Sequence, residues 1–180
     1  MVSYAPHNMQ IVASFDAKKL DIFKRSVILN MSNTNEVKRI ETKLEVRTFL
    51  DKLRYAIMSN TVSISIQKDR RVDESRDMKH TNRFTISMLF PDEDEVDCLK
   101  RELYSLVLDE YIETVKDTRF PKKSDMRVFG RQYLSQDVYI KIRVELLSNE
   151  HANGNNYIFL MSFHFSERDF DETDFPYKQC

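Results

Sequence analysis

Between residues 126 and 165, basic, tyrosine and histidine side chains fall at alternate positions within three short runs, the spacing that places side chains on one face of a strand. Tyr139, Lys141 and Arg143 alternate with Val138, Ile140, Ile142 and Val144; Ser162 and His164 lie two apart in Tyr157–Phe165, and Arg127, Phe129 and Arg131 alternate with Met126 and Val128. With the polar sets of the three strands on a common face, Arg127, Arg131, Tyr139, Lys141, Arg143, Ser162 and His164 form one surface. That surface lacks a central pair of carboxylates and any metal-ligand spacing, which most hydrolases need. It suits a phosphodiester. RNA carries its own nucleophile, the 2′-hydroxyl, so a protein need supply only a base, positive charge against the pentavalent phosphate, and an acid for the leaving 5′-oxygen. Histidine titrates closest to working pH, which makes His164 the acid or base. Lys141, Arg127 and Arg131 then stabilise the developing charge, and Tyr139 orients the substrate. Arg143, Lys122, Lys123 and Lys116 extend the positive surface as RNA-binding residues. The same alternation is also the ordinary solvent face of a half-covered antiparallel sheet, and a lone strand histidine is more often structural.

Other chemistry has weaker support. His7, His80, His151, His164, Cys98 and Cys180 are scattered without ligand spacing, so neither a metal nor a cofactor is expected. Two glycines, Gly130 and Gly154, argue against phosphate-cradling loops and dinucleotide fingerprints. Asp92-Glu-Asp-Glu95 reads as the acidic start of a helix rather than a cation site. Lys68-Asp-Arg-Arg71 with Lys79-His80 forms a basic loop that fits RNA, ribosome or protein contact, and equally a solvated tip.

At 180 residues with 41% hydrophobic content, the chain is long enough for one domain with an ordinary core. Its net charge of −1 forecasts no partner class, but it conceals blocks. Residues 38–83 hold 12 basic and 7 acidic residues, 91–117 hold 3 and 10, and 119–145 hold 7 and 3. No apolar run is long enough for a membrane span. Met1–Ser14 lacks a basic and greasy leader, and the two distant cysteines fit a reducing, cytoplasmic setting.

The elements that must hold these residues follow from periodicity. An N-terminal extension over 1–35 reads as a strand at Met9–Phe15, a short helix at Asp16–Arg25 and a strand at Val27–Met31. Asn33 and Glu36 resemble a capping box, opening an amphipathic helix through Val37, Ile40, Leu44, Leu50, Leu53 and Ile57 with a basic exterior. Thr61–Gln67 and Arg83–Met88 alternate as strands, joined by a long polar connector. Pro91–Glu95 opens a helix carrying Val96, Leu99, Leu103 and Leu106, and Asp109 caps a further short helix with Tyr111, Ile112 and Val115. Three strands, Met126–Arg131, Asp137–Glu145 and Tyr157–Phe165, then form an antiparallel meander, with turn chemistry at Asn153-Gly154. Residues 36–180 are thus expected to be a single α+β domain whose three-stranded C-terminal meander is covered by helices on one face.

Val138-Tyr-Ile-Lys141 followed by Met161-Ser-Phe-His164 resembles the C-terminal strands of RelE-superfamily ribonuclease toxins of bacterial toxin–antitoxin modules, especially the MqsR-like branch. The lead-in is similar too: Leu108-Asp-Glu-Tyr-Ile112, a linker, then Arg127-Val-Phe-Gly130. The resemblance covers roughly residues 92–180. It implies a compact α+β toxin with a metal-independent mRNA-cleaving site on its sheet, neutralised by a cognate antitoxin. Tyr139 matches the tyrosine of the family's central strand, His164 falls where an MqsR-type toxin has a basic residue, and Arg127 lies close to a polar site position. Ile112 stands where a catalytic lysine is expected, with Lys116 a stand-in one turn later. The chain exceeds these small toxins in length, and its N-terminal half could serve antitoxin docking or oligomerisation. A rival from another class is a non-catalytic RNA- or protein-binding regulator of a phage or mobile element. A third reading pairs basic 38–83 with acidic 91–117 of another copy in a homo-oligomer.

Overall fold

The computed structural model describes residues 35–69 and 77–178. Contacts divide the chain into residues 1–34 and 35–180. The expected strand, helix and strand of the N-terminal extension, His7, Asn33 and Cys180 lie outside the described residues, as does the middle of the basic connector. Six strands form one mixed sheet: β1 (Glu36–Arg39), β2 (Ser63–Ile66), β3 (Tyr111–Asp117), β4 (Met126–Tyr133), β5 (Gln136–Ser148) and β6 (Asn155–Phe165), in the order β1-β3-β4-β5-β6-β2. Every pairing is antiparallel except β2 with β6. The helices are α1 (Lys43–Met58), α2 (Asn82–Leu89), α3 (Glu95–Tyr104) and the single turn α4 (Asn149–Ala152) between β5 and β6. The fold is α+β as expected, and the meander is present as β4-β5-β6, but inside a sheet of six strands rather than three.

Three elements differ from the sequence reading. The first helix starts at Lys43, not near Glu36, because Thr42 and Glu45 close a capping box: the Glu45 amide donates to Thr42 Oγ1 at 3.3 Å and the Thr42 amide to Glu45 Oε2 at 2.7 Å. Val37 and Ile40, counted in the apolar stripe, are 56% and 55% exposed. Arg83–Met88 is helical, not a strand. Thr81 caps it by accepting from the Phe84 amide at 3.3 Å, and its buried residues Asn82, Thr85 and Ile86 follow the helical period. Tyr111–Val115 is a strand, not a helix; Ile112, Thr114 and Val115 are β-branched, and Tyr111 and Thr114 are buried against the core.

The core lies on one sheet face. Val46, Phe49, Leu50, Leu53 and Ala56 of α1, with Cys98, Leu99 and Leu103 of α3, cluster with Phe129, Val138, Ile140, Ile142, Ile158, Leu160 and Phe163. Burial pushes the Cys98 thiol up to about 11. Beyond its pairing with β2, the outer edge of β6 would be an unpaired ladder, and α2 satisfies it with side chains. Asn82 donates to the carbonyl of Met161 at 3.0 Å and accepts from the amide of Phe163 at 2.8 Å; Thr85 Oγ1 accepts from the amide of Phe165 at 2.9 Å. A helix whose polar residues read as strand alternation therefore serves as an edge cover.

Candidate functional site

Cross-strand register decides which side chains meet. Arg127, Phe129 and Arg131 lie opposite Ile142, Ile140 and Val138, and so share the helix-covered face. Tyr139 and Lys141 lie opposite His164 and Ser162, and Arg143 opposite Phe159, on the second face. The expected seven-residue surface therefore divides: Tyr139, Lys141, Arg143, Ser162 and His164 come together, while Arg127 and Arg131 are turned away. Alternation holds along β4 and along Val138–Val144 of β5, while a register shift at Met161 of β6 brings Phe159 to the face of Ser162; the phase between β4 and β5 is one residue off, which moves a strand's whole polar set to the other face. Phe129 sets that phase. It is fully buried, 5.9 Å from Tyr111 and 6.1 Å from Phe49 between ring centres, and residues two away must follow it. Gly130 points the other way, where an added Cβ would come within 2.6 Å of the Phe170 ring.

Both arginines are tied down by carboxylates. Arg127 donates to the two oxygens of Glu41 at 2.8 and 3.1 Å and to the Asp125 carbonyl at 3.0 Å, and its guanidinium lies 4.8 Å from the centre of the Phe49 ring. Arg131 holds Glu110 at 2.5 and 2.7 Å and Ser105 Oγ at 2.7 Å. Burial works against its charge, but the hydrogen bond and negative charge of Glu110 raise its pKa above the ordinary arginine value. These guanidiniums fasten β4 to the segment entering α1 and to the turn leaving α3. Neither faces His164. Lys116 is structural as well, donating to the Lys123 carbonyl at 2.6 Å and pairing with Asp125 at 3.0 Å. Asp125 also meets Arg39 at 2.6 Å; burial opposes its ionisation, yet the hydrogen bonds from Lys116 and Arg39 hold its carboxyl below the usual range. Lys123 contacts Glu150 and lies 2.8 Å from His151 Nε2, and Lys122 is exposed.

On the second face the His164 ring stacks on Tyr139 with centres 5.5 Å apart and planes 23° from parallel. His164 Nδ1 lies 2.9 Å from the Phe165 carbonyl. A carbonyl only accepts, so Nδ1 carries a proton and donates to it. His80 Nδ1 is 2.8 Å from the same carbonyl and donates to it in the same way. Sequence gave no sign of this convergence, because His80 sits in a connector and reaches β6 through α2's docking. Lys141, 6% exposed, donates to Glu36 Oε1 at 3.0 Å. Glu36 lies on β1, three strands from β5; at about 4.8 Å per strand, their backbones stand roughly 14 Å apart, a span two long side chains cover by leaning together. Glu36 also escaped the sequence reading, in which it begins a helix.

Among the described residues, no group of three or more His, Cys, Asp and Glu side chains is placed to hold a metal ion. Among the same residues, no helix is long and apolar enough to cross a membrane. Comparison with protein-family models, with curated proteins and with solved structures yields no match.

Proposed function

We propose that this chain is a metal-independent endoribonuclease, a cytoplasmic toxin of RelE/MqsR type that cuts mRNA by 2′-hydroxyl attack and is neutralised by a cognate antitoxin. The observation that carries the reading is the pair of adjacent cross-strand contacts Tyr139–His164 and Lys141–Ser162 on one sheet face. His164 Nε2 transfers a proton at the 2′-hydroxyl or the leaving 5′-oxygen. Lys141 places positive charge beside the phosphate, Tyr139 orients the ring that transfers the proton, and Arg143 holds the strand one step along β5. His80, sharing the Phe165 carbonyl, is the second proton carrier that a base-and-acid mechanism needs. Arg127 and Arg131 have no part in this version of the site.

The test is cleavage of a 5′-labelled single-stranded mRNA in EDTA. Wild type should leave a 2′,3′-cyclic phosphate end, and His164→Ala should lower kcat by about 10²–10⁴ with folding intact, the usual worth of a general acid or base. Wild type without chelator-resistant cleavage, or a His164→Ala variant as active as wild type, sinks the reading. A second reading, a non-catalytic RNA- or protein-binding regulator, is favoured by the engagement of Arg127 and Arg131 with Glu41 and Glu110 and of Lys141 with Glu36. RNA bound without cleavage, and indifferent to His164→Ala, selects it.

A further inference from the structure

We propose that a pocket beyond Arg143 on the second face receives a single nucleotide, its base against phenylalanine rings and its phosphate on arginine and lysine. This deepens the RNA reading and rests on it for the source of the nucleotide. The pocket, about 330 Å³, is lined by Gln67 after β2, Arg143 and Phe159 on neighbouring strands, and Arg119, Phe120 and Lys123 of the β3–β4 loop. That volume is at the lower end of small-ligand sites, which run about 300–1,000 Å³, and admits one nucleotide rather than a folded oligomer.

Two buried side-chain polar atoms among the described residues lack a hydrogen-bond partner, Gln67 Oε1 and Arg143 Nε, and both residues line this pocket. Buried polar groups are nearly always satisfied, so two orphans at one cavity call for a ligand carrying both a donor and an acceptor. Arg143 Nε lies 3.1 Å from Glu145 Oε1, near enough for attraction but not aligned as a hydrogen bond. A nucleotide supplies the complement: a base N–H for the Gln67 oxygen and phosphate oxygens for Arg143. Phe159 and Phe120 line the pocket with a guanidinium over each ring, Arg143 at 5.1 Å and Arg119 at 5.8 Å from the ring centres, so a base adds to an existing stack, against a ring or a guanidinium plane. Arg119 is held by Asp117 at 2.7 Å, and Lys123 by Glu150 and His151, so both cations are positioned at the rim before any ligand arrives. Arg143 follows Lys141 by two residues on the same face, about 7 Å along β5, which sets the pocket beside the proton-transfer residues.

The experiment uses the full chain carrying His164→Ala to hold off cleavage, titrated in EDTA with a fluorescein-labelled RNA tetramer and, separately, with AMP and UMP. Phe120→Ala, at an exposed loop position, and Gln67→Ala are then added singly. Each should weaken RNA binding at least about fivefold, the lower end of what base stacking is worth for Phe120 and the ordinary net worth of one hydrogen bond for Gln67. Mononucleotides binding with the same sensitivity identify a free nucleotide as ligand, and a tetramer binding alone identifies a nucleotide within a strand; both support the pocket. Affinities unchanged in both variants overturn it, and if wild type still cleaves RNA, the ribonuclease reading survives without it. Mononucleotide binding by a chain that neither binds nor cuts RNA keeps the pocket and removes the RNA reading. Binding of neither ligand removes the pocket.

Discussion

Removing one half of a buried ion pair costs more than the pair contributes, because the survivor keeps its charge without a partner. Glu41 is 4% exposed and keeps Arg39 at 2.8 Å when Arg127 is removed, so Arg127→Ala loses charge-assisted hydrogen bonds without leaving Glu41 alone and should destabilise the fold by about 2–3 kcal/mol. At roughly 2–4 °C per kcal/mol for a chain of this size, thermal unfolding should fall by about 5–10 °C. Any ribonuclease activity per folded molecule should be unchanged; an Arg127→Ala protein that melts like wild type but has lost its activity would return Arg127 to the catalytic face. Asp125 makes a separate prediction in pH. Its folded pKa is depressed, so its contribution is fully present above the unfolded value near 4 and is lost as pH falls through the lower, folded value. Asp125→Asn should therefore be less stable than wild type at neutral pH, and denaturant midpoints should converge below about pH 4. At this scale the sequence made Tyr139, Lys141, Arg143, Ser162 and His164 legible as a set, since period-2 alternation within two adjoining strands survives in any register that keeps their faces matched. It misplaced Arg127 and Arg131 because nothing local says which neighbour's face a strand's polar side shares; the burial of Phe129 decides that, and it is a tertiary fact.

Turn conformation gives the element scale its own test. The β4–β5 hairpin turns through Leu134 and Ser135, with φ of 48° and 66°. Two successive residues in the left-handed region make the turn that matches strand twist, and it normally selects Asn-Gly. A leucine there pays roughly 1–2 kcal/mol, and its side chain is 88% exposed, so packing returns little. Leu134→Asn with Ser135→Gly should raise stability by about 1–2 kcal/mol, read as a higher denaturant midpoint with unchanged slope; a lower midpoint would mean that Leu134 is held by a contact the hairpin needs. The same residues explain why Met126–Arg131 reads as a strand ending near Gly130, whereas β4 continues to Tyr133: the turn at Leu134 and Ser135 carries neither the asparagine nor the glycine that marks such a hairpin. Elements with strong local signals, such as α3 behind Asp94 and the long β5, are legible at once. Arg83–Met88 and Tyr111–Val115 are short apolar stretches in which both periods fit, and the packing of α2 on the β6 edge and of β3 beside β4 settles them.

For the molecule as a whole, the alternating charge blocks are the feature with the widest consequence. A basic block at 38–83 and an acidic one at 91–117 are expected to attract each other, in one chain or between two. Part of that attraction is met within the chain: Lys68 pairs with Glu95 at 2.9 Å and Lys38 with Glu113 at 2.8 Å, and Arg54 donates to the Leu106 carbonyl at 2.8 Å. What remains on the helices is exposed, where single pairs contribute about 0–1 kcal/mol and salt screens them within roughly 8–10 Å. Assembly driven by the two blocks would have to rest on those exposed charges, each contributing little, or break pairs already made at short range. Sedimentation velocity at 50 mM and 500 mM salt, about a threefold change in screening length, separates the cases. A sedimentation coefficient independent of salt is the expected outcome. A larger species at low salt that dissociates at high salt would show that the two blocks meet between copies, and it would place the homo-oligomer ahead of intrachain pairing as the reason the blocks alternate.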